Sequence, residues 1–144
     1  MRGFAWLAVL AVLLAAPSRA QMIAAEGEAE HRHAEILLRL ADALGAGDAA
    51  AFAAFYAPDA RLHATGRRGP DGAAALLRDL RGVLPDARWT VEVVIAQGRF
   101  ASARGWIEGT SRGHRIRFEV ITQHRFEDGR IAEQWEQYDS ALLP

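Results

Sequence analysis

The chain has 144 residues, a formal charge of −1 and no cysteine, and all 17 of its basic residues are arginine. That length suits one domain, and the balanced charge offers nothing to nucleic acid or to an anionic lipid surface. Without cysteine there is neither a disulfide scaffold nor a thiol nucleophile, and without lysine no Schiff base can form.

Met1-Arg2 is a short positive start. Phe4 to Ala16 is an unbroken apolar run, and Ser18 and Ala20 are small residues placed before Gln21. This is the layout of a secretory signal peptide. The run is shorter than the roughly 20 apolar residues that span a bilayer. Residues 1–20 are therefore expected to be removed. Residues 21–144 would then be an exported domain, periplasmic or extracellular, with no membrane attachment.

Ala24 to Leu44 predicts a first helix, with Ile36, Leu37, Leu40, Ala41 and Leu44 on one stripe. Gly45 and Gly47 stop it, and Asp48 can cap a second helix from Ala49 to Tyr56. Ala57-Pro58-Asp59 turns the chain into a short strand, Arg61 to Thr65. A third helix is expected from Asp71 to Leu84, ended by Pro85. The period then changes to two. Arg88 to Ala96 and Phe100 to Thr110 predict strands. In the first, Trp89, Val91, Val93 and Ile95 form the apolar set if a bulge sits at Gly98; a tight turn would instead point Glu92 and Val94 inward. Ala101, Ala103 and Gly105 would leave room for a ligand.

The last hairpin, Ile116 to Asp139, turns at Asp128-Gly129, a pair suited to a type I′ turn. Regular pairing would set Phe126 against Ile131 and continue outward. One face would then hold Phe118, Val120, Thr122, His124 and Phe126, with Ile131, Glu133, Trp135, Gln137 and Asp139. Titratable groups on this mostly apolar face are the ones that burial can tune. Glu133 would pair with His124 across the strands.

Helices followed by an antiparallel meander make an α+β domain. The expected form is a curved antiparallel sheet with helices packed on its concave face, enclosing a cone-shaped pocket. No P-loop, dinucleotide fingerprint or G-x-S-x-G is present, so acid–base chemistry by Asp, Glu, His and Tyr, or binding alone, remains. His31-Arg32-His33 is a solvated helix face and not a metal site, because i and i+2 do not share a face.

The segments Ala46-Gly47-Asp48, Phe55-Tyr56-Ala57-Pro58-Asp59, Gly109-Thr110 and Arg125 to Glu133, with Trp135 and Asp139, resemble the nuclear transport factor 2-like superfamily (a cystatin-like fold). Within it they resemble SnoaL-like polyketide cyclases. The resemblance implies that Asp139, in the pattern W-x-x-x-D, is the acid–base residue and that His124 is its helper. It implies no cofactor and no metal. The ketosteroid isomerase relatives fit less well. Aligned on Tyr56 to Asp59, their base falls on Ala64, their oxyanion tyrosine on Leu40 and their protonated aspartate on Thr122.

The resulting expectation is a small hydrophobic ligand held by Tyr56, Phe118, Thr122 and Trp135. Asp139 and His124 would perform a cofactor-free cyclisation, isomerisation or dehydration. A non-catalytic binding domain is the competing reading. Trp106 on the outer sheet face suggests a homodimer interface.

Overall fold

The computed structural model describes residues 22–139; the expected signal segment lies outside the described residues. The chain runs β1 (Met22–Ala24), α1 (Glu28–Ala46), α2 (Ala49–Ala53), β2 (Tyr56–Leu62), β3 (Arg67–Arg68) and α3 (Gly69–Val83). Four longer strands follow: β4 (Arg88–Gln97), β5 (Phe100–Ser111), β6 (His114–Glu127) and β7 (Arg130–Tyr138).

These four strands form an antiparallel meander because each link is a two-residue turn. Gln97 pairs with Phe100, Ser111 with His114, and Glu127 with Arg130. Arg112 and Gly113 have φ of 49° and 81°, and Asp128 and Gly129 have 48° and 73°. Positive φ at both central positions is what a type I′ turn requires. The complete sheet has the order β1-β4-β5-β6-β7-β2-β3, with β1 parallel to β4 and β2 parallel to β7.

The helices cover one face of this curved, unclosed sheet. α1 packs on β4 and β5, α3 on β2 and β3, and α2 joins them. α1 ends at Gly47, whose left-handed φ of 67° lets its N–H return to Ala43 and Leu44. Asp48 then caps α2 by accepting the Ala51 N–H at 2.9 Å. Arg81 of α3 donates to the Leu44 carbonyl at 3.1 Å and the Ala87 carbonyl at 3.3 Å. One guanidinium thus ties the end of α1 to the entry of β4. Leu37, Leu40, Phe52, Leu77, Val91, Val94, Val120 and Phe126 form the core between the layers.

Four expectations are corrected. Residues 22–24 form an edge strand on β4, and α1 begins only at Glu28. α2 stops at Ala53, so Tyr56 opens β2 instead of closing a helix. The bulge in β4 sits at Glu92, between Val91 and Val93, and not at Gly98. Trp89 and Val91 face inward before it, and Val94 and Ala96 after it, leaving Ile95 exposed. Ala101 and Ala103 are buried under α1 and do not open the pocket.

Gly105 lies opposite the bulge. A Cβ there would sit 2.0 Å from the Thr90 carbonyl oxygen and 3.0 Å from Val91 Cα. Both are backbone atoms, so nothing soft can yield. Gly105→Ala is expected to cost about 1–3 kcal/mol of folding stability. Chemical denaturation measures this, and an unchanged midpoint would contradict the close approach.

Candidate functional site

A cavity of about 290 Å³ lies between the helices and the sheet. Leu40 and Leu44 of α1, with Leu76, Leu77 and Leu80 of α3, form its helical wall. Trp89, Ile107, Phe118 and Val120 rise from the sheet. Arg67 of β3 and Asp79 of α3 also line it and are joined by an ion pair.

The polar groups of the sheet floor come from β6 and β7, and a single irregularity selects those of β7. Phe126 pairs with Ile131, but Arg125 pairs with Glu133, so Ala132 is an extra residue on β7. Ile131 and Ala132 are both buried, as two successive residues at a bulge can be. Past that point every side chain of β7 changes face. Gln134 lies opposite His124, Glu136 opposite Thr122, and Tyr138 opposite Val120. All six of these side chains line the cavity.

Glu133 and Trp135 therefore project to the outer face, and of the expected site residues Trp135 and Asp139 lie outside the cavity. Glu133 accepts from Arg125 at 2.7 Å and meets His63 at 2.9 Å, so it does not pair with His124. The Trp135 ring stacks on His63 with centroids 4.6 Å apart. Asp139 is exposed beside an outer hollow that also contains Trp106 and Arg117. Thr122, His124 and Phe118 do line the cavity. Tyr56 is fully buried behind it and reaches the site only through its hydroxyl. Gln134, Glu136 and Tyr138 are the residues the regular-pairing argument missed. The adjacent apolar pair Ile131-Ala132, which breaks period two, is the sequence signal that marks the slip.

Hydrogen bonds connect the floor of the site. Tyr56 Oη donates to Gln134 Oε1 at 2.5 Å, and His124 Nε2 lies 3.3 Å from the same oxygen. Gln134 Nε2 donates to Glu136 Oε2 at 3.5 Å. With Oε1 as acceptor, the proton of His124 belongs on Nε2. Nδ1 is buried and has no hydrogen-bond partner among the described residues. Thr122 Oγ1 is buried with no partner among the described residues.

Burial sets the charges. It pushes the His124 pKa down to about 4, against the opposing pull of Gln134 and the Ala101 backbone, so the imidazole is neutral at pH 7. Burial raises the Tyr56 pKa well above its ordinary value, with the Glu136 charge adding to it. Burial also raises the Glu136 carboxyl, and its bond from Gln134 only partly offsets this. On the outer face Glu133 moves the other way, lowered by Arg125 and then by His63. Glu136 is thus the cavity-lining carboxyl whose acidity is weakened by burial. Among the described residues no group of three or more His, Asp or Glu is placed to hold a metal.

A family model described as a SnoaL-like domain matches residues 37–134. No curated protein matches the sequence. A candidate polyketide cyclase from Bacillus cereus superposes with a TM-score of 0.79 at 20% identity, covering 91% of this chain and 93% of that one. A SnoaL-like polyketide cyclase from Agrobacterium tumefaciens gives 0.67 at 19%, over 77% and 93%. A nuclear transport factor 2-like protein of unknown function from Burkholderia pseudomallei gives 0.68 at 21%, over 76% and 92%. Likenesses at this identity establish the fold, the one expected from the order of elements.

The neutral His124 has a consequence for stability. Its pKa is near 4 when folded and near 6.5 when unfolded. Between those values the unfolded chain binds the extra proton, so stability falls as pH drops through that window. The full contribution is roughly 3 kcal/mol, reached below pH 4. Denaturation of wild type and His124→Gln from pH 7 to 4 should show the variant losing less stability. Parallel pH curves would mean that His124 is not buried neutral.

Proposed function

The chain belongs to the SnoaL-like domain family, and from that starting point we propose that its cone holds one small, largely hydrophobic molecule and exchanges a proton with it through Glu136. The observation that carries this reading is the position of Glu136. Its carboxylate stands on a largely apolar cavity wall, directly across from the unpartnered hydroxyl of Thr122. Groups directly opposite on paired strands lie about 5 Å apart. A ligand oxygen accepting from Thr122 would therefore hold its neighbouring C–H within reach of Glu136.

The chemistry that follows needs no cofactor. Glu136 takes a proton from a carbon next to a carbonyl, the C–H electron pair becomes the C=C bond of an enolate, and the oxygen gains the charge. Thr122 donates to that oxygen. Return of the proton to a different carbon completes an isomerisation. Its delivery to a β-hydroxyl, which leaves as water while the enolate pair forms the new C=C bond and the carbonyl is restored, completes a dehydration. Attack of the enolate carbon on a second carbonyl closes a ring, and the alkoxide so formed takes the proton from Glu136. Gln134 aims Glu136, and Tyr56 and His124 hold Gln134. His124 thus acts as a neutral support, and Asp139 gives up the central role to Glu136.

A non-catalytic binding domain is the second reading. It is favoured by the way Tyr56, Gln134 and His124 satisfy one another, leaving few polar groups free for a substrate. Two further parts of the proposal concern the whole chain. Residues 1–20 direct export to the periplasm or medium. The outer sheet face, where Ile95, Phe100 and Ile121 are 52%, 41% and 44% exposed, pairs two copies.

Glu136→Gln and Asp139→Asn distinguish these readings. Small hydrophobic ketones and aldehydes are screened for binding by ligand-observed NMR, then for turnover. Glu136→Gln should retain binding and lower turnover by about 10²–10⁴-fold, while Asp139→Asn changes it less than about threefold. The reverse pattern returns the role to Asp139. Binding with no turnover in wild type selects the non-catalytic reading.

A further inference from the structure

The charged groups lining the cavity are few. Arg67 and Asp79 neutralise each other in an ion pair. His124 is neutral. The remaining charge is that of Glu136, and its partner is the Gln134 amide at 3.5 Å. No lysine exists in the chain, and among the described residues no arginine forms an ion pair with Glu136.

The outer hollow does not supply the missing cation. Phe118, Glu136 and Tyr138 are shared between the cavity and that hollow. The hollow's arginine, Arg117, is engaged by the Trp106 ring, with its guanidinium carbon 4.0 Å from the ring centroid. Glu119 there is taken by Arg104 at 2.9 Å. Asp139 also lines this hollow.

Aromatic surface surrounds this carboxylate. Tyr138 follows it on the same face of β7, and Phe118 packs against Tyr138 with ring centroids 5.6 Å apart. Trp89 and Phe52 line the same cavity. Ring faces and an unbalanced carboxylate in an apolar pocket form the chemical environment that stabilises a hydrophobic cation.

We infer that the ligand of this cavity carries a cationic nitrogen: it is a small hydrophobic amine, protonated or quaternary, whose charge sits beside Glu136 and against Phe118 and Tyr138. The inference rests on the cavity being the ligand site and does not require proton transfer there. A neutral ligand would leave the Glu136 charge poorly solvated. A carboxylic acid would add a second negative charge beside it. A cation lets the ligand and the Glu136 carboxylate lose water together and gain a partner.

Three probes of similar size test this: phenyltrimethylammonium, its neutral isostere tert-butylbenzene, and benzoate. Titrations at pH 7 follow the NMR resonances of Phe118, Thr122 and Tyr138 in wild type and Glu136→Gln. An amide spectrum of the variant that matches wild type outside the cavity establishes that it folds. The ammonium should bind about tenfold tighter than the isostere in wild type, and the preference should vanish in Glu136→Gln. Benzoate should bind weakest. Equal or tighter binding of tert-butylbenzene overturns the inference while leaving the cavity as a ligand site. A cation preference that survives in Glu136→Gln also overturns it, because the charge is then recognised elsewhere. If none of the three moves the cavity resonances, the ligand-site reading falls and this inference falls with it.

Discussion

One extra residue on β7 determines which side chains meet in the cavity. Ala132 bulges out of the ladder with β6, and the six strand residues that follow it exchange faces relative to regular pairing. Gln134 and Glu136 thereby enter the space between sheet and helices, and Glu133 and Trp135 leave it. The parallel strand β2 confirms the same register from the other side. His63 N–H donates to the Gln134 carbonyl at 2.9 Å, and the Tyr56 hydroxyl reaches the Gln134 side chain. Two neighbouring strands therefore hold Gln134 in place, and Tyr56, His124 and Glu136 are bonded to it.

The sheet separates two kinds of electrostatics. On the outer face charges are paired with charges: Arg125 with Glu133 and Glu127, and Arg104 with Glu92 and Glu119. The more exposed of these pairs, such as Arg104 with Glu119, contribute little each. On the inner face Tyr56, His124 and Gln134 are kept neutral and bonded to one another. Glu136 departs from that rule, since its carboxyl has weak support and a low-dielectric setting. A departure of this kind, in a cavity, is where chemistry or recognition is expected.

Most of the fold could be read from the sequence because its signals are local. The i, i+3, i+4 spacing of Leu37, Leu40, Ala41 and Leu44 marks α1, and Asp128-Gly129 marks the last hairpin. His124, Thr122 and Phe118 were legible as cavity residues because they lie on β6, which is regular throughout. The residues of β7 were not, because a bulge changes parity without changing composition. Trp135 made the error attractive: a tryptophan reads as core, yet here it stacks on His63 outside. Tyr56 was misplaced for a related reason. Phe52, Phe55 and Tyr56 fit a helical face, but α2 ends before Tyr56, and the long-range pairing of Tyr56 with Ile131 decides its conformation.

The two-residue turns bear on how the molecule is assembled. Each meander pairing begins by closing a very short loop, which costs little chain entropy. The contact of Tyr56 with Gln134 spans 78 positions, and the β1–β4 pairing also encloses the whole helical segment. Such distant contacts return no free energy until the strands they join already exist. The meander is therefore the natural scaffold of the folding reaction, and the parallel strands and helices dock onto it. The cavity belongs to that later stage: its floor comes with the hairpin, but it is enclosed only when the distant half of the chain arrives.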